Sequence, residues 1–142
     1  MIPRFRHILI PLDFTEKNLA ALNIAFDMAA VNHAVTTLLH VVEEIHGDQD
    51  SEVQQFYDRL SNRAEAELET LSQRFDEAGL IVQRKVRIGK RLKEIVVDSV
   101  ERNVDLIVMS SHKPDLTNPL ETWNTLSYQV SVLCPCPVLL VK

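Results

Sequence analysis

The sequence lacks the features of a membrane or exported protein. No apolar run approaches the ~20 residues that a membrane-spanning helix requires. Residues 1–6 lead directly into an apolar segment, without the apolar region and cleavage site of a secretory signal. The only two cysteines, Cys134 and Cys136, are expected to be packed thiols, because their spacing suits neither a metal site nor a disulfide in a reducing compartment. We therefore expect a cytoplasmic protein without a membrane partner.

The chain also lacks an excess of positive charge. It carries 15 Lys and Arg against 20 Asp and Glu, which gives a net charge of −5 and a pI of about 5.5. Nucleic-acid-binding surfaces are normally basic, so no nucleic-acid partner is expected. Apolar and charged shares of 46% and 25% are ordinary for a globular protein. A length of 142 residues predicts a single domain over residues 1–142.

Glycine-rich phosphate-binding motifs and paired catalytic groups are missing as well. The chain has 3 glycines and contains neither Gly-x-x-x-x-Gly-Lys-[Ser/Thr] nor Gly-x-Gly-x-x-Gly. Asp13, after the first predicted strand, has no acidic or basic partner that the sequence places beside it, so no acid–base pair is apparent. A phosphoacceptor receiver domain would need an acidic cluster there. These absences argue against an enzyme, and we expect neither catalytic residues nor a metal site.

Short apolar runs alternate with segments of helical periodicity. Buried strands are predicted at residues 7–12, 35–42, 80–88, 105–109 and 138–141. The intervening segments predict helices, with Thr15 as the N-cap of the first and Gly79 at the C′ position of the second. Asn118 and Pro119 predict the start of one last helix, in which Trp123 packs under the preceding loop. This alternation predicts a doubly wound α/β fold with a five-stranded parallel sheet and helices on both faces.

The character of each strand places it in the sheet and locates a site. Runs 7–12 and 105–109 are apolar throughout and are predicted to be central, whereas run 80–88 alternates and should have one solvated face at an edge. In such sheets, ligands bind beyond the carboxyl ends of the strands, where the winding reverses. That rule points to residues 11–15 and 109–113.

Four segments in the right order resemble the universal stress protein family. A strand ending in Pro11-Leu12-Asp13 before a Ser/Thr-rich helix start resembles the opening of these proteins, and residues 39–42, 105–112 and 136–141 resemble their second, fourth and last strands. The resemblance covers the whole chain. It implies a Rossmann-like fold of the adenine nucleotide alpha hydrolase-like kind, with strand order 3-2-1-4-5. It also implies a homodimer formed through the C-terminal strand, which is apolar on both faces and lies at an edge.

The resemblance further implies a candidate nucleotide pocket. The positions that hold ATP in nucleotide-binding members fall on Pro11, Asp13, Val41, Met109, Ser110, Lys113, Asn124 and Thr125. Ser110, Lys113 and Asn124 stand where the family's phosphate loop has glycines. Those glycines let backbone N–H groups converge on phosphate, often at positive φ, which costs other residues about 1–2 kcal/mol. A helix from Asn118 would also place Asn124 and Thr125 in its interior.

We therefore expect a non-enzymatic stress-response or regulatory protein with weak or absent adenine-nucleotide binding. No cofactor is required, ATP or AMP is the candidate ligand, and any protein partner is unknown. The alternative is an ATP- or AMP-binding regulator that responds to nucleotide. Three side chains stay open between two roles. Asp13 contacts adenine or ribose, or it lies near the following helix N-terminus as an acid that the helix dipole favours. His112 reaches a phosphate or is a solvated loop residue, and Arg91, with its neighbours Lys90 and Lys93, forms an anion site or a solvated helix start.

Overall fold

The computed structural model describes residues 4–45, 50–112 and 116–142. Within them, five parallel strands form one sheet in the order β3-β2-β1-β4-β5. The strands are β1 His7–Pro11, β2 Val35–Glu43, β3 Val82–Gly89, β4 Leu106–Ser110 and β5 Val138–Val141. The helices are α1 Asn18–Asn32, α2 Ser51–Glu77, α3 Arg91–Glu101, α4 Pro119–Trp123 and α5 Leu126–Leu133. The predicted fold class and strand order are confirmed.

The central strands are buried on both faces, as their continuous apolar runs predicted. Successive side chains of a strand point to opposite faces, so β1 sends Ile8 and Ile10 into a core formed with α1 and α2. Leu9 points the other way, into a second core that includes Ile95 of α3 and Val130 of α5. The sheet therefore separates two apolar layers, and its carboxyl edge is left for the loops that follow β1 and β4.

The start of α1 differs from the prediction. Thr15 is not its N-cap; the helix begins at Asn18, after Lys17, and no side chain caps it. The Thr15 hydroxyl instead donates to the Asp13 carboxylate at 2.7 Å. Asp and Thr side chains form such local loop contacts readily, which draws Thr15 away from the helix. The end of α2 agrees with the prediction, since Gly79 follows the helix with a φ of +77°.

The outer face of β3 is less solvated than its alternating pattern predicted. Arg87 is half-buried, because its guanidinium donates at 2.9 Å to Asp98 of α3, whose side chain is fully buried. Glu101 of α3 accepts a second hydrogen bond from Arg87 at 2.7 Å. Helix α3 thus covers this strand through a cluster of ion pairs. The sequence did not predict this contact, because only an apolar contact would have given a recognisable pattern along the strand.

The prediction of a single last helix is wrong. Pro119 does begin a helix, but α4 ends at Trp123 and α5 starts at Leu126. Thr125 has an extended backbone and accepts a hydrogen bond from Tyr128 N, so it is the N-cap of a separate helix. Trp123 is 60% exposed and stacks on the Tyr128 ring, with centroids 5.8 Å apart, and does not pack under the preceding loop.

Candidate functional site

A cavity of about 230 Å³ lies beyond the carboxyl ends of β1 and β4, where the switch-point rule placed it. Its wall includes six of the eight residues predicted for the pocket: Pro11, Asp13, Val41, Met109, Ser110 and Thr125. Asn124 does not line this cavity but lines a neighbouring groove. Lys113 lies outside the described residues. Part of its lining is apolar and includes Leu39 and Ile95, which belong to the core between the sheet and helices α3 and α5.

The Asn18 side chain links the loop after β1 to the end of β4 at this cavity. Its Oδ1 accepts from the backbone N–H groups of Asp13 and Phe14, each at 2.9 Å, and its Nδ2 donates to Ser110 Oγ at 3.1 Å. The side chain is buried. Sequence reasoning missed this residue. The signal that could have identified Asn18 is its position, one helical turn before Leu22 on the face that α1 buries.

Ser110 fills the first of the three glycine positions with a bonded side chain. Besides accepting from Asn18, its hydroxyl donates to the Lys17 carbonyl at 3.0 Å. The hydroxyl therefore fastens the end of β4 to the loop after β1. A glycine at this position would offer the cavity a free backbone and leave Asn18 without this partner.

Asp13 is held by its own loop. Its Oδ1 accepts from Thr15 N at 3.0 Å and from the Thr15 hydroxyl at 2.7 Å. Desolvation raises the pKa of Asp13, but the two hydrogen bonds from Thr15, the positive charge of Arg91 and the Asn18 side chain together hold the pKa below its ordinary value. The carboxylate is thus charged at neutral pH and faces the cavity as an acceptor.

Hydroxyl groups from the end of β4 and from the start of α5 lie close together near this cavity. Ser111 Oγ and Ser127 Oγ lie 2.9 Å apart, and Thr125 Oγ1 lies 3.5 Å from Ser127 Oγ. The sequence prediction placed Thr125 inside a helix; as the N-cap of α5 it instead presents its side chain at the rim. Its hydroxyl accepts from Tyr128 N at 3.4 Å, so the cap of α5 is supplied by the chain itself.

Arg91 lies where three cavities adjoin one another. It lines the central cavity and two adjoining grooves of about 600 and 610 Å³. Its guanidinium lies 3.5 Å from the Glu43 carboxylate, and both side chains are about half exposed. An exposed ion pair of this kind contributes little, so Arg91 can turn toward an anion in the cavity.

Phe14 and His40 form an aromatic wall of the groove along α2, which adjoins the central cavity at Val41 and Arg91. Phe14 has a φ of +64°, a conformation that is unusual for a bulky residue, and its ring stacks on His40 with centroids 4.3 Å apart. The His40 Nδ1–H donates to the Leu12 carbonyl at 2.8 Å. Burial lowers the pKa of His40, so the ring is neutral at pH 7.

The part of the chain that the structure describes shows neither a group of metal ligands nor a membrane-spanning helix. Within residues 4–45, 50–112 and 116–142, no three His, Cys, Asp or Glu side chains are grouped to hold a metal ion. None of the helices in those ranges is long and apolar enough to cross a membrane. Cys134 and Cys136 are both free thiols, and burial raises the pKa of each.

Two relatives of known sequence match almost the whole chain. Universal stress protein Sll1654 of Synechocystis sp. is 31% identical over 138 residues, covering 96% of this chain and 85% of the relative. Universal stress protein YxiE of Bacillus subtilis is 26% identical over 148 aligned positions, covering 97% of this chain and 99% of the relative.

Solved structures give the same fold. UspA of Lactobacillus plantarum superposes with a TM-score of 0.77 at 19% identity, covering 98% of this chain and 99% of that one. A universal stress protein in complex with cAMP superposes with a TM-score of 0.76 at 18% identity, with 97% of each chain covered. A universal stress protein of Archaeoglobus fulgidus in complex with dAMP gives 0.63 at 14% identity, with both chains fully covered.

The model of the universal stress protein family matches residues 4–142. This match, the 31% identical relative and the strand order agree with one another, and the chain belongs to the universal stress protein family.

Proposed function

We propose that this protein is a non-enzymatic regulatory member of its family whose pocket takes an adenine nucleotide weakly and holds no triphosphate tightly. The observation that carries the proposal is the Ser110 side chain. Its hydroxyl is engaged with Asn18 and the Lys17 carbonyl at the position where the family's phosphate loop has a glycine. A bonded side chain there keeps the end of β4 from folding into a nest of N–H groups around phosphate.

The size and lining of the central cavity support a small ligand. Its volume of about 230 Å³ lies below the ~300–1,000 Å³ usual for small-molecule sites. Apolar side chains from three strands form its floor, while Asp13 and several hydroxyls stand at the rim. This arrangement suits a flat base with a polar sugar. Two of the structural neighbours hold cAMP and dAMP, which each carry a single phosphate.

The Asp13 carboxylate is poorly suited to act as a general base for ATP hydrolysis. Asp13 is the one acidic residue among the described residues that line the central cavity, and its Oδ1 already accepts two hydrogen bonds from Thr15. A general base needs a group that orients it and a free path to the substrate proton. We expect no physiological ATP hydrolysis; phosphate release at several turnovers per minute that Asp13→Ala abolishes would contradict this.

Calorimetric titration with ATP, AMP and adenosine tests the proposal. Weak or undetectable ATP binding is expected, and submicromolar ATP affinity would refute it. Where weak binding is seen, Leu126→Glu should abolish it, because this half-buried residue lines the cavity and a new carboxylate there repels phosphate. Leu133→Glu is the matched control, since Leu133 lies on the same helix, 57% exposed and away from the cavity.

A second candidate function is a regulator that responds to nucleotide at physiological concentration. Arg91 favours it, because an arginine shared by three cavities can supply the positive charge that the missing glycines do not. Under this alternative, Arg91→Met lowers ATP affinity at least tenfold, which is about 1.4 kcal/mol. Unchanged weak binding in Arg91→Met favours the main proposal.

Two copies of the chain are proposed to pair through β5. This strand contacts only β4 within the sheet, and Leu139 is 38% exposed on it although all four residues are apolar. Exposed apolar edge strands are an aggregation hazard, and pairing across a two-fold axis removes the edge. Light scattering tests this, and a monomer mass at tens of micromolar would discard it.

A further inference from the structure

We propose that Lys17 and His112 form a side-chain anion subsite that takes the phosphate group of an adenosine monophosphate held in the central cavity. The inference rests on the proposed nucleotide-binding function and names how the charged end of the ligand is recognised. Under this proposal, two basic side chains replace the backbone nest of the family's phosphate loop.

The first observation is the contact between the two basic side chains. Lys17 Nζ lies 2.8 Å from His112 Nδ1. An ammonium group has no lone pair and can only donate, so in this contact Nδ1 is the acceptor and Nε2 carries the ring proton. His112 therefore presents an N–H donor on its far side, next to a full positive charge. Both groups suit an anion that accepts hydrogen bonds.

Second, the Lys17 charge has no carboxylate partner within the described part of the chain. The ion pairs found there involve Arg87, Arg91 and Arg102, and none includes Lys17. Glu16 is adjacent in sequence but makes no ion pair with it. The ammonium group of Lys17 thus contacts an imidazole nitrogen and no carboxylate, an arrangement that an incoming anion would stabilise further.

The third observation is where the pair lies. His112 lines the central cavity and also a neighbouring cavity of about 340 Å³ between the start of α1 and the end of β5. Lys17 lines this second cavity, together with Glu16 and Lys142. Two of its three charged side chains are therefore lysines. A ligand that fills the central cavity and extends past His112 reaches the Lys17 ammonium.

Fourth, the backbone of Lys17 is fixed by the cavity wall itself. Its carbonyl accepts from Ser110 Oγ at 3.0 Å, and the next residue, Asn18, is bonded to both loops. The hydroxyl that stands in the place of the first glycine therefore fixes the backbone from which the exposed Lys17 side chain extends. The ammonium group itself is held by its contact with His112, which is present without ligand.

Calorimetric titration with AMP and with adenosine tests the subsite, since the two ligands differ only in the phosphate. We expect the unmodified protein to bind AMP at least fivefold more tightly than adenosine, as a charge-assisted contact permits. Lys17→Met should remove this preference while adenosine affinity stays within about twofold. Lys17→Arg should retain at least half of it. Lys93→Met is the matched control, because Lys93 is exposed and lines none of the cavities described above.

His112→Ala provides an independent variant, which should lower AMP affinity without changing adenosine affinity. Inorganic phosphate should compete with AMP but not with adenosine. Equal affinity for AMP and adenosine in the unmodified protein, or an unchanged preference in Lys17→Met, would overturn the subsite and leave the proposed pocket standing. If neither ligand binds at millimolar concentration, both the pocket and the subsite are refuted.

Discussion

Replacing Asn18 by Ala tests the proposal that this buried amide holds the candidate site in shape. The substitution removes the acceptor of two backbone N–H groups, Asp13 and Phe14, and the donor to Ser110. A hydrogen bond contributes about 1 kcal/mol net, and three give about 3 kcal/mol. Alanine is favoured over asparagine in a helix by roughly 0.6 kcal/mol, which offsets part of this. We therefore expect a loss of about 2 kcal/mol in the free energy of unfolding.

Urea unfolding measures this loss. With a slope of about 1–3 kcal/mol per molar, the midpoint should fall by about 1 M. Asn23→Ala is the control, since Asn23 lies on the same helix, is exposed and makes one surface hydrogen bond to Arg74. It should change stability by less than about 0.5 kcal/mol. If Asn18→Ala costs no more than the Asn23 control, the amide is not what fixes the loop.

Three further outcomes are expected. The free energy of unfolding should fall as pH drops from about 6.5 toward 5. Burial lowers the pKa of His40, so over this range the unfolded chain binds more protons than the folded one. Urea unfolding midpoints of His40→Gln should fall less over the same range. Asp98→Ala should cost about 3 kcal/mol, since it removes a fully buried carboxylate from two arginines. Glu101→Ala removes a carboxylate that is 60% exposed and leaves Arg87 paired with Asp98, so it should cost less than about 1 kcal/mol by the same assay. Leu139→Lys should convert a dimer to a monomer in light scattering, Val132→Lys on exposed α5 should not, and a dimer that survives Leu139→Lys would place the interface elsewhere.

The sheet could be predicted from the sequence because each strand carries its own apolar pattern, and this pattern recurs along the chain. Strands buried on both faces need apolar residues at every position, and β1 and β4 have them. The crossover rule then leaves few arrangements of five strands, and the pocket position follows from the winding reversal. Four of the six predicted residues that line the cavity, Pro11, Asp13, Met109 and Ser110, lie in the ranges given by this rule, whereas Val41 and Thr125 were predicted only from the family resemblance.

Local helix signals failed where a side chain had a better partner elsewhere. Thr15 has the residue type of an N-cap, but Asp13 two residues earlier accepts its hydroxyl at 2.7 Å. The helix start at Pro119 is real, yet Thr125 begins a second helix, because its hydroxyl can cap Tyr128 N. In each case two short-range options of similar energy competed, and propensity alone could not rank them.

The loop chemistry could not be predicted because it joins residues far apart in the chain. The sequence shows that Ser110 replaces a glycine, which indicates a lost phosphate nest. It does not show that the hydroxyl accepts from Asn18, 92 residues away, and donates to Lys17, 93 residues away. The side chain that replaces a glycine and removes backbone flexibility at the end of β4 therefore also fixes the backbone of Lys17, whose ammonium group lies beside His112. Because one side chain has both effects, Ser110→Gly should free the nest and release Lys17 together. A gain in ATP affinity would then come with a loss of AMP preference over adenosine.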